Sequence, residues 1–182
     1  MIEHKRLRPS GALMFIIIHQ NRSMQTSLLV VEDCAQLLAE KQLTICFAES
    51  ATAGKLAYAF SQTEYAGTVL KGGIICYDAC LKEDILSVPS ELIEKFSPES
   101  SEVTREMALH LRNVIQADLS VSVTGLTKPG GSETPEKPVG TIFYAILYGG
   151  TVHERRTFST GSPEAIVQHA IEQIAQTITQ IV

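Results

Sequence analysis

Ser50 is the residue whose setting points most directly to chemistry rather than packing. It lies in Ala48-Glu49-Ser50-Ala51-Thr52-Ala53-Gly54. That turn separates an apolar run over 43–48, which reads as a strand buried on both faces, from a helical segment over 51–61. A hydroxyl there sits beside free backbone N–H groups at a helix N-terminus, which can hold an anion or a developing oxyanion. Capping of the helix by Ser50 or Thr52 accounts for the same residues.

A second feature is the 125–132 stretch, where Gly130-Gly131 allows the backbone to approach a ligand closely. Lys128 precedes the glycines and no GKS or GKT follows them, so the stretch is not a P-loop, and an ordinary long connection between strands also fits. Between the two lies Tyr77-Asp78-Ala79-Cys80-Leu81-Lys82, at the end of a strand. A lysine there is either a solvated helix residue or, if desolvated beside a serine, a group whose pKa falls so that it can act as a base.

Other chemistries find less support. The four cysteines form no CxxC pair, and Cys34, Cys46 and Cys76 sit in apolar runs, as buried thiols of a reducing cytoplasm do. The five histidines show no HExxH spacing, so no metal site is expected. A net charge of -5 argues against a general nucleic-acid binder. With 45% hydrophobic and 19% charged residues, the chain should be globular. The basic start followed by GALMFIII resembles a signal peptide only superficially. The apolar run is short, lacks a small-residue cleavage site and cannot span a bilayer. Residues 1–23 read as an extension, disordered or non-native, or as a tail that docks on a partner. Residues 24–182 read as one domain.

These residues need elements to hold them. Leu28, Val31, Cys34, Leu37 and Leu38 recur at helical spacing over 27–41. Residues 68–77 read as a strand with a bend or bulge at Gly72-Gly73. Short helices are expected over 79–86 and 90–96. A longer one, capped by Ser100 or Ser101, should run to about residue 117 with Val103, Met107, Leu111 and Val114 inward. Residues 118–124 alternate as a strand does, and 125–138 is an ordered loop. Strands over 139–148 and 151–158 form a hairpin about Gly149-Gly150. Ser162-Pro163 opens a last helix with Ile166, Ala170, Ile174 and Ile178 inward. This order predicts an α/β fold: a three-layer α/β/α sandwich with a mixed β-sheet, with ligands beyond the carboxyl ends of its strands.

FAESATAGKL, CYDACLK, SVTGLTKPGG and PEKPVGTIFYA together resemble the C-terminal domain of the CinA, competence-damage-inducible, family, in order and spacing from about Met24 onward. The family includes nicotinamide mononucleotide (NMN) amidohydrolases. The resemblance implies the stand-alone form of the domain and places a nucleophile for a carboxamide carbon at Ser50. It places the activating base at Lys82 and an assistant in proton transfer or orientation at Tyr77. The substrate-binding set it implies is Glu49, Ala51, Thr52, Gly54, Thr124, Gly125, Lys128, Gly130 and Gly131.

The implied reaction is NMN plus water to nicotinic acid mononucleotide plus ammonia, through an acyl-enzyme, with no cofactor or metal. The implied partners are a pyridine mononucleotide and a second copy in a homo-oligomer, a dimer, with no nucleic acid or membrane, in the cytoplasm. A non-catalytic nucleotide-binding or regulatory module, or an amidase for another small carboxamide, are the alternatives. The family's usual AESCTGG has Ala51 and Ala53 here, and YSNEAK keeps only its ends, Tyr77 and Lys82. The usual GIAGP carries Lys128, and the FxGxR arginine is missing from 158–163, leaving Lys128 or Lys55 as phosphate partners.

Overall fold

The computed structural model describes residues 29–182, so the expectations for residues 1–23 and for the start of the first helix lie outside the described residues. At its centre is β1 (Ile45–Glu49), buried at every position because it is paired on both edges and covered on both faces. It runs parallel to β2 (Leu70–Ile75) on one side and to β3 (Leu119–Gly125) on the other. β4 (Thr141–Tyr148) is antiparallel to β3, and β5 (Thr151–Phe158) to β4, giving the order β2-β1-β3-β4-β5.

The period-2 alternation of β1 divides the core in two. Ile45 and Phe47 pack with α1 (29–40), α2 (Lys55–Ser61) and α7 (Pro163–Ile181), through Val31, Leu38, Leu56, Phe60 and Ile174. Cys46 and Ala48 face the other way, onto Leu86, onto Ile93 of α5 (Ser90–Phe96), and onto Val103, Met107 and Leu111 of α6 (Ser101–Val114). The chain is therefore the expected three-layer α/β/α sandwich around a mixed sheet.

Several local signals act as their chemistry suggests. Ser100 and Ser162 cap α6 and α7 through the N–H groups of Val103 and Ala165. Gly149 and Gly150 both take positive φ, 56° and 82°, in the β4–β5 turn. A register irregularity beside Gly72 (φ 132°) is the bulge expected there.

Other boundaries shift for physical reasons. Residues 66–69 form a short helix, α3 (Ala66–Val69), so β2 starts two residues later than 68. α6 ends at Val114, which is 49% exposed rather than inward, and Ile115 packs against the core in its place. A 3.6-residue period carries the inner stripe from Leu111 to Ile115, not to Val114. Cys34, Cys46 and Cys76 are buried as expected, whereas Cys80 is exposed.

Candidate active site

Three parallel strands deliver their carboxyl ends to the same edge of the sheet, as the site expectation requires. Ser50 follows β1 directly, its N–H donating to Val123 O of β3 at 3.0 Å, while Cys76 N–H donates to Glu49 O at 2.7 Å. The hydroxyl is thus held between the two neighbouring strands. It is not at a helix N-terminus, because α2 begins only at Lys55. Residues 50–54 form a tight turn in which Ala53 (φ 49°) and Gly54 (φ 93°) are both left-handed.

Glu49 explains that turn. Its buried carboxylate accepts from the Thr52 hydroxyl at 2.6 Å and from the N–H groups of Gly54, Leu56 and Ala57 at 2.9, 3.1 and 2.8 Å. Neither Ser50 nor Thr52 caps the helix; Glu49 does, from beneath. The resemblance assigns Glu49, Thr52 and Gly54 to substrate; here the Glu49 carboxylate, the Thr52 hydroxyl and the Gly54 N–H are spent on one another in building the turn, and the three residues lie outside the cavity lining. Among the described residues, the backbone N–H groups of Ala51 and Thr52 have no acceptor.

Lys82 comes from the third strand end. Asp78 accepts from Cys80 N–H at 3.0 Å and so caps α4 (Ala79–Asp84), which places Lys82 on the helix's inner side. Side chains on a helix lean toward its N-terminus. Lys82 accordingly reaches back, donating to Cys76 O at 2.9 Å and lying 3.3 Å from Ser50 Oγ. It is 1% exposed, and burial pulls its pKa below the ordinary 10.5, against smaller opposing effects of Cys76, Glu99, Asp78 and Cys80. No carboxylate forms an ion pair with it among the described residues. This is the desolvated arrangement, not the solvated one.

Above the pair opens a cavity of about 280 Å³ lined by Ser50, Ala51, Tyr77, Glu99 and residues 125–131. Tyr77 is 66% exposed, and its hydroxyl makes no hydrogen bond among the described residues. Gly125, Lys128, Gly130 and Gly131, which the resemblance assigns to substrate, are in the lining. Gly125 has φ 147°, and a Cβ there would meet Thr141 O at 2.5 Å, so the loop leaves β3 in a conformation only glycine supplies. Thr124, which the resemblance assigns to substrate, is buried with its hydroxyl bonded to that of Thr104 at 2.7 Å and is not in the cavity lining. Lys55 is paired with Glu164 at the surface, away from the cavity lining. Among the described residues no cluster of three or more His, Cys, Asp or Glu could hold a metal ion.

Sequence reasoning did not single out Glu99. It follows the left-handed Ser97 (φ 74°) in the α5–α6 connection and enters the lining from a segment that carries no motif. Lys137 was equally silent. Its ammonium donates to Ser97 Oγ, Glu99 O and Ser132 Oγ at 2.7, 2.9 and 2.7 Å, anchoring the C-terminal limb of the 125–138 loop.

The arrangement couples an alcohol with a desolvated amine beside two backbone donors, a set able to perform acyl transfer. Residues 28–182 match the family model of the CinA C-terminal domain. A CinA-like protein of Prochlorococcus marinus is 40% identical over 129 residues, which are 71% of this chain and 30% of that protein. A CinA-like protein of Leptospira interrogans is 38% identical over 122 residues, 67% of this chain and 29% of that protein. The chain thus spans under a third of the length of these relatives. Among solved structures, a CinA superfamily protein of Escherichia coli superposes with TM-score 0.81 at 26% identity, covering 98% of this chain and 96% of that one. One from Enterobacter cloacae gives 0.79 at 28%, covering 86% and 92%.

Proposed function

The chain belongs to the CinA C-terminal domain family, and on that premise we propose that it is an amidohydrolase that deamidates NMN to nicotinic acid mononucleotide and ammonia. The observation that carries this reading is the buried Lys82 Nζ, 3.3 Å from Ser50 Oγ. Burial favours loss of a proton from Lys82, and once deprotonated the amine keeps one N–H on Cys76 O and accepts the Ser50 proton through its lone pair.

As Ser50 Oγ bonds to the carboxamide carbon, its proton passes to Lys82, and the oxyanion takes hydrogen bonds from Ala51 and Thr52 N–H. Collapse breaks the C–N bond, and the Lys82 ammonium returns the proton to the departing nitrogen, which leaves as ammonia. Water then adds to the acyl carbon as Lys82 accepts one of its protons; the bond to Ser50 Oγ breaks, Lys82 returns that proton to Oγ, and the acid leaves, losing its own proton to solvent as the carboxylate. Tyr77, at the rim, orients the amide. Lys128, which has no ion-pair partner among the described residues, is the phosphate partner in this reading. The reading also includes a homodimer working in the cytoplasm; among the described residues no helix is long and apolar enough to cross a membrane.

The test is incubation of the purified protein with NMN, following ammonia and nicotinic acid mononucleotide together. Stoichiometric appearance of both is expected. Binding of NMN without turnover at high protein concentration supports instead a nucleotide-binding module, and turnover of other carboxamides but not NMN supports a different amidase. Light scattering at twice the 19.9 kDa chain mass checks the dimer.

A further inference from the structure

Glu99 is the acidic group in the cavity lining, and the fold fixes it from several sides. Its own carbonyl is held by Lys137 at 2.9 Å, and the next residue, Ser100, is the buried cap of α6. Its Oε2 accepts from Ser132 Oγ at 2.5 Å, and Ser132 Oγ in turn accepts from Lys137 at 2.7 Å. A carboxylate present only to neutralise Lys137 would take the ammonium directly. Here the ammonium takes the backbone and two hydroxyls, and reaches the carboxylate only through Ser132. An ionised carboxylate offers about four lone-pair sites, and this contact uses one.

Lys128 lines the same cavity and forms no ion pair with Glu99, so two opposite charges are presented there unneutralised by each other. A free aromatic amide would use neither charge. A sugar phosphate would use both, its hydroxyls donating to the carboxylate and its phosphate meeting the ammonium.

We propose that Glu99, oriented by the Lys137–Ser132 relay, accepts hydrogen bonds from the vicinal hydroxyls of a sugar carried by the substrate, so that the site selects a ribosylated carboxamide over the free amide. This rests on the amidohydrolase reading of the same cavity. Glu99 acts on substrate binding, and Ser132 and Lys137 are positioning residues.

The experiment measures calorimetric binding to the full chain carrying Ser50→Ala, so that nothing is turned over. The probes are nicotinamide, nicotinamide riboside, its 2′,3′-dideoxy counterpart and NMN. Removing the two hydroxyls should weaken riboside binding by about 10- to 100-fold, the effect of hydrogen bonds to a charged group. Adding Glu99→Ala should weaken the riboside similarly yet leave the dideoxy compound unchanged. Glu99→Gln, which keeps one carbonyl acceptor and the side-chain shape, should fall between. Thermal melting of each variant checks that the fold is kept.

Equal binding of riboside and dideoxy compound to the Ser50→Ala chain overturns the proposal and needs no Glu99 variant. Equal weakening of both by Glu99→Ala also overturns it, because attraction to the pyridinium charge would then be the role of Glu99. If neither riboside nor NMN binds, and unmodified protein turns over neither, the nucleotide reading itself fails and takes this inference with it.

Discussion

In the proposed reaction Lys82 is the residue on which the chemistry turns, because one and the same ammonium must be buried and must lose its proton. Burial lowers its pKa, so activity should rise with pH through that value and level off below the usual lysine range; a pH–rate profile of kcat/KM reads it. Lys82→Met should cost about 10²–10⁴-fold in turnover, and Ser50→Ala about 10⁴-fold or more, both measured as ammonia release. Lys82 also affects stability. Below its folded pKa the charge is buried in the native state and the penalty is complete. Between that value and 10.5 the unfolded chain binds more protons, so stability rises with pH across the window. Urea unfolding of wild type against Lys82→Met should therefore show a difference that moves in favour of wild type as pH increases. Cys34, pushed up to about 12 by burial, works in the opposite direction above 9, but it is common to both proteins and cancels.

At the level of elements, the turn between β1 and α2 carries two opposing features. Glu49 collects one hydroxyl and three N–H groups that would otherwise be stranded in or beside the core. Glu49→Ala should destabilise by about 2–4 kcal/mol, seen as a shift in the urea midpoint with unchanged slope. Ala53, by contrast, occupies φ 49°, where a Cβ is strained and where the family usually has glycine. Ala53→Gly should relieve that strain and stabilise by up to about 1 kcal/mol, the gain being reduced by the freer unfolded chain. An outcome in which Ala53→Gly destabilises would mean that the turn relaxes around alanine without cost.

The whole molecule shields its thiols unevenly, and that gives a direct probe of its layers. Cys34 and Cys46 lie in the two cores flanking the sheet, Cys76 beneath the site, and Cys80 on the outer face of α4. A thiol reagent should modify Cys80 alone in the native protein. It should do so slowly, because the Asp78 carboxylate holds that thiol's pKa up. The other three should react only on unfolding, as mass spectrometry would count. Rapid native labelling of a second cysteine would contradict the packing on that face.

Sequence alone determined the architecture and the order of the site's parts. A doubly buried strand such as β1 must be apolar throughout, a hairpin with two left-handed positions favours Gly149-Gly150, and inner helix faces repeat every 3.6 residues; each is a local constraint written in neighbouring residues. Spacing left Ser50 open as a helix cap and Lys82 as a solvated lysine, and it was the resemblance of their segments to the CinA family that implied a catalytic pair. Which polar group serves the fold and which faces the cavity was settled by residues far apart in the chain. Glu49 and Thr124 look like site residues by position, yet their oxygens are taken by Leu56, Ala57 and Thr104. Glu99 carries no motif and becomes part of the cavity only because α6 packs against β3 and Lys137 ties the loop down. Even the lowered pKa of Lys82 follows from its enclosure, since desolvation is a property of the surrounding volume and not of any spacing along the chain.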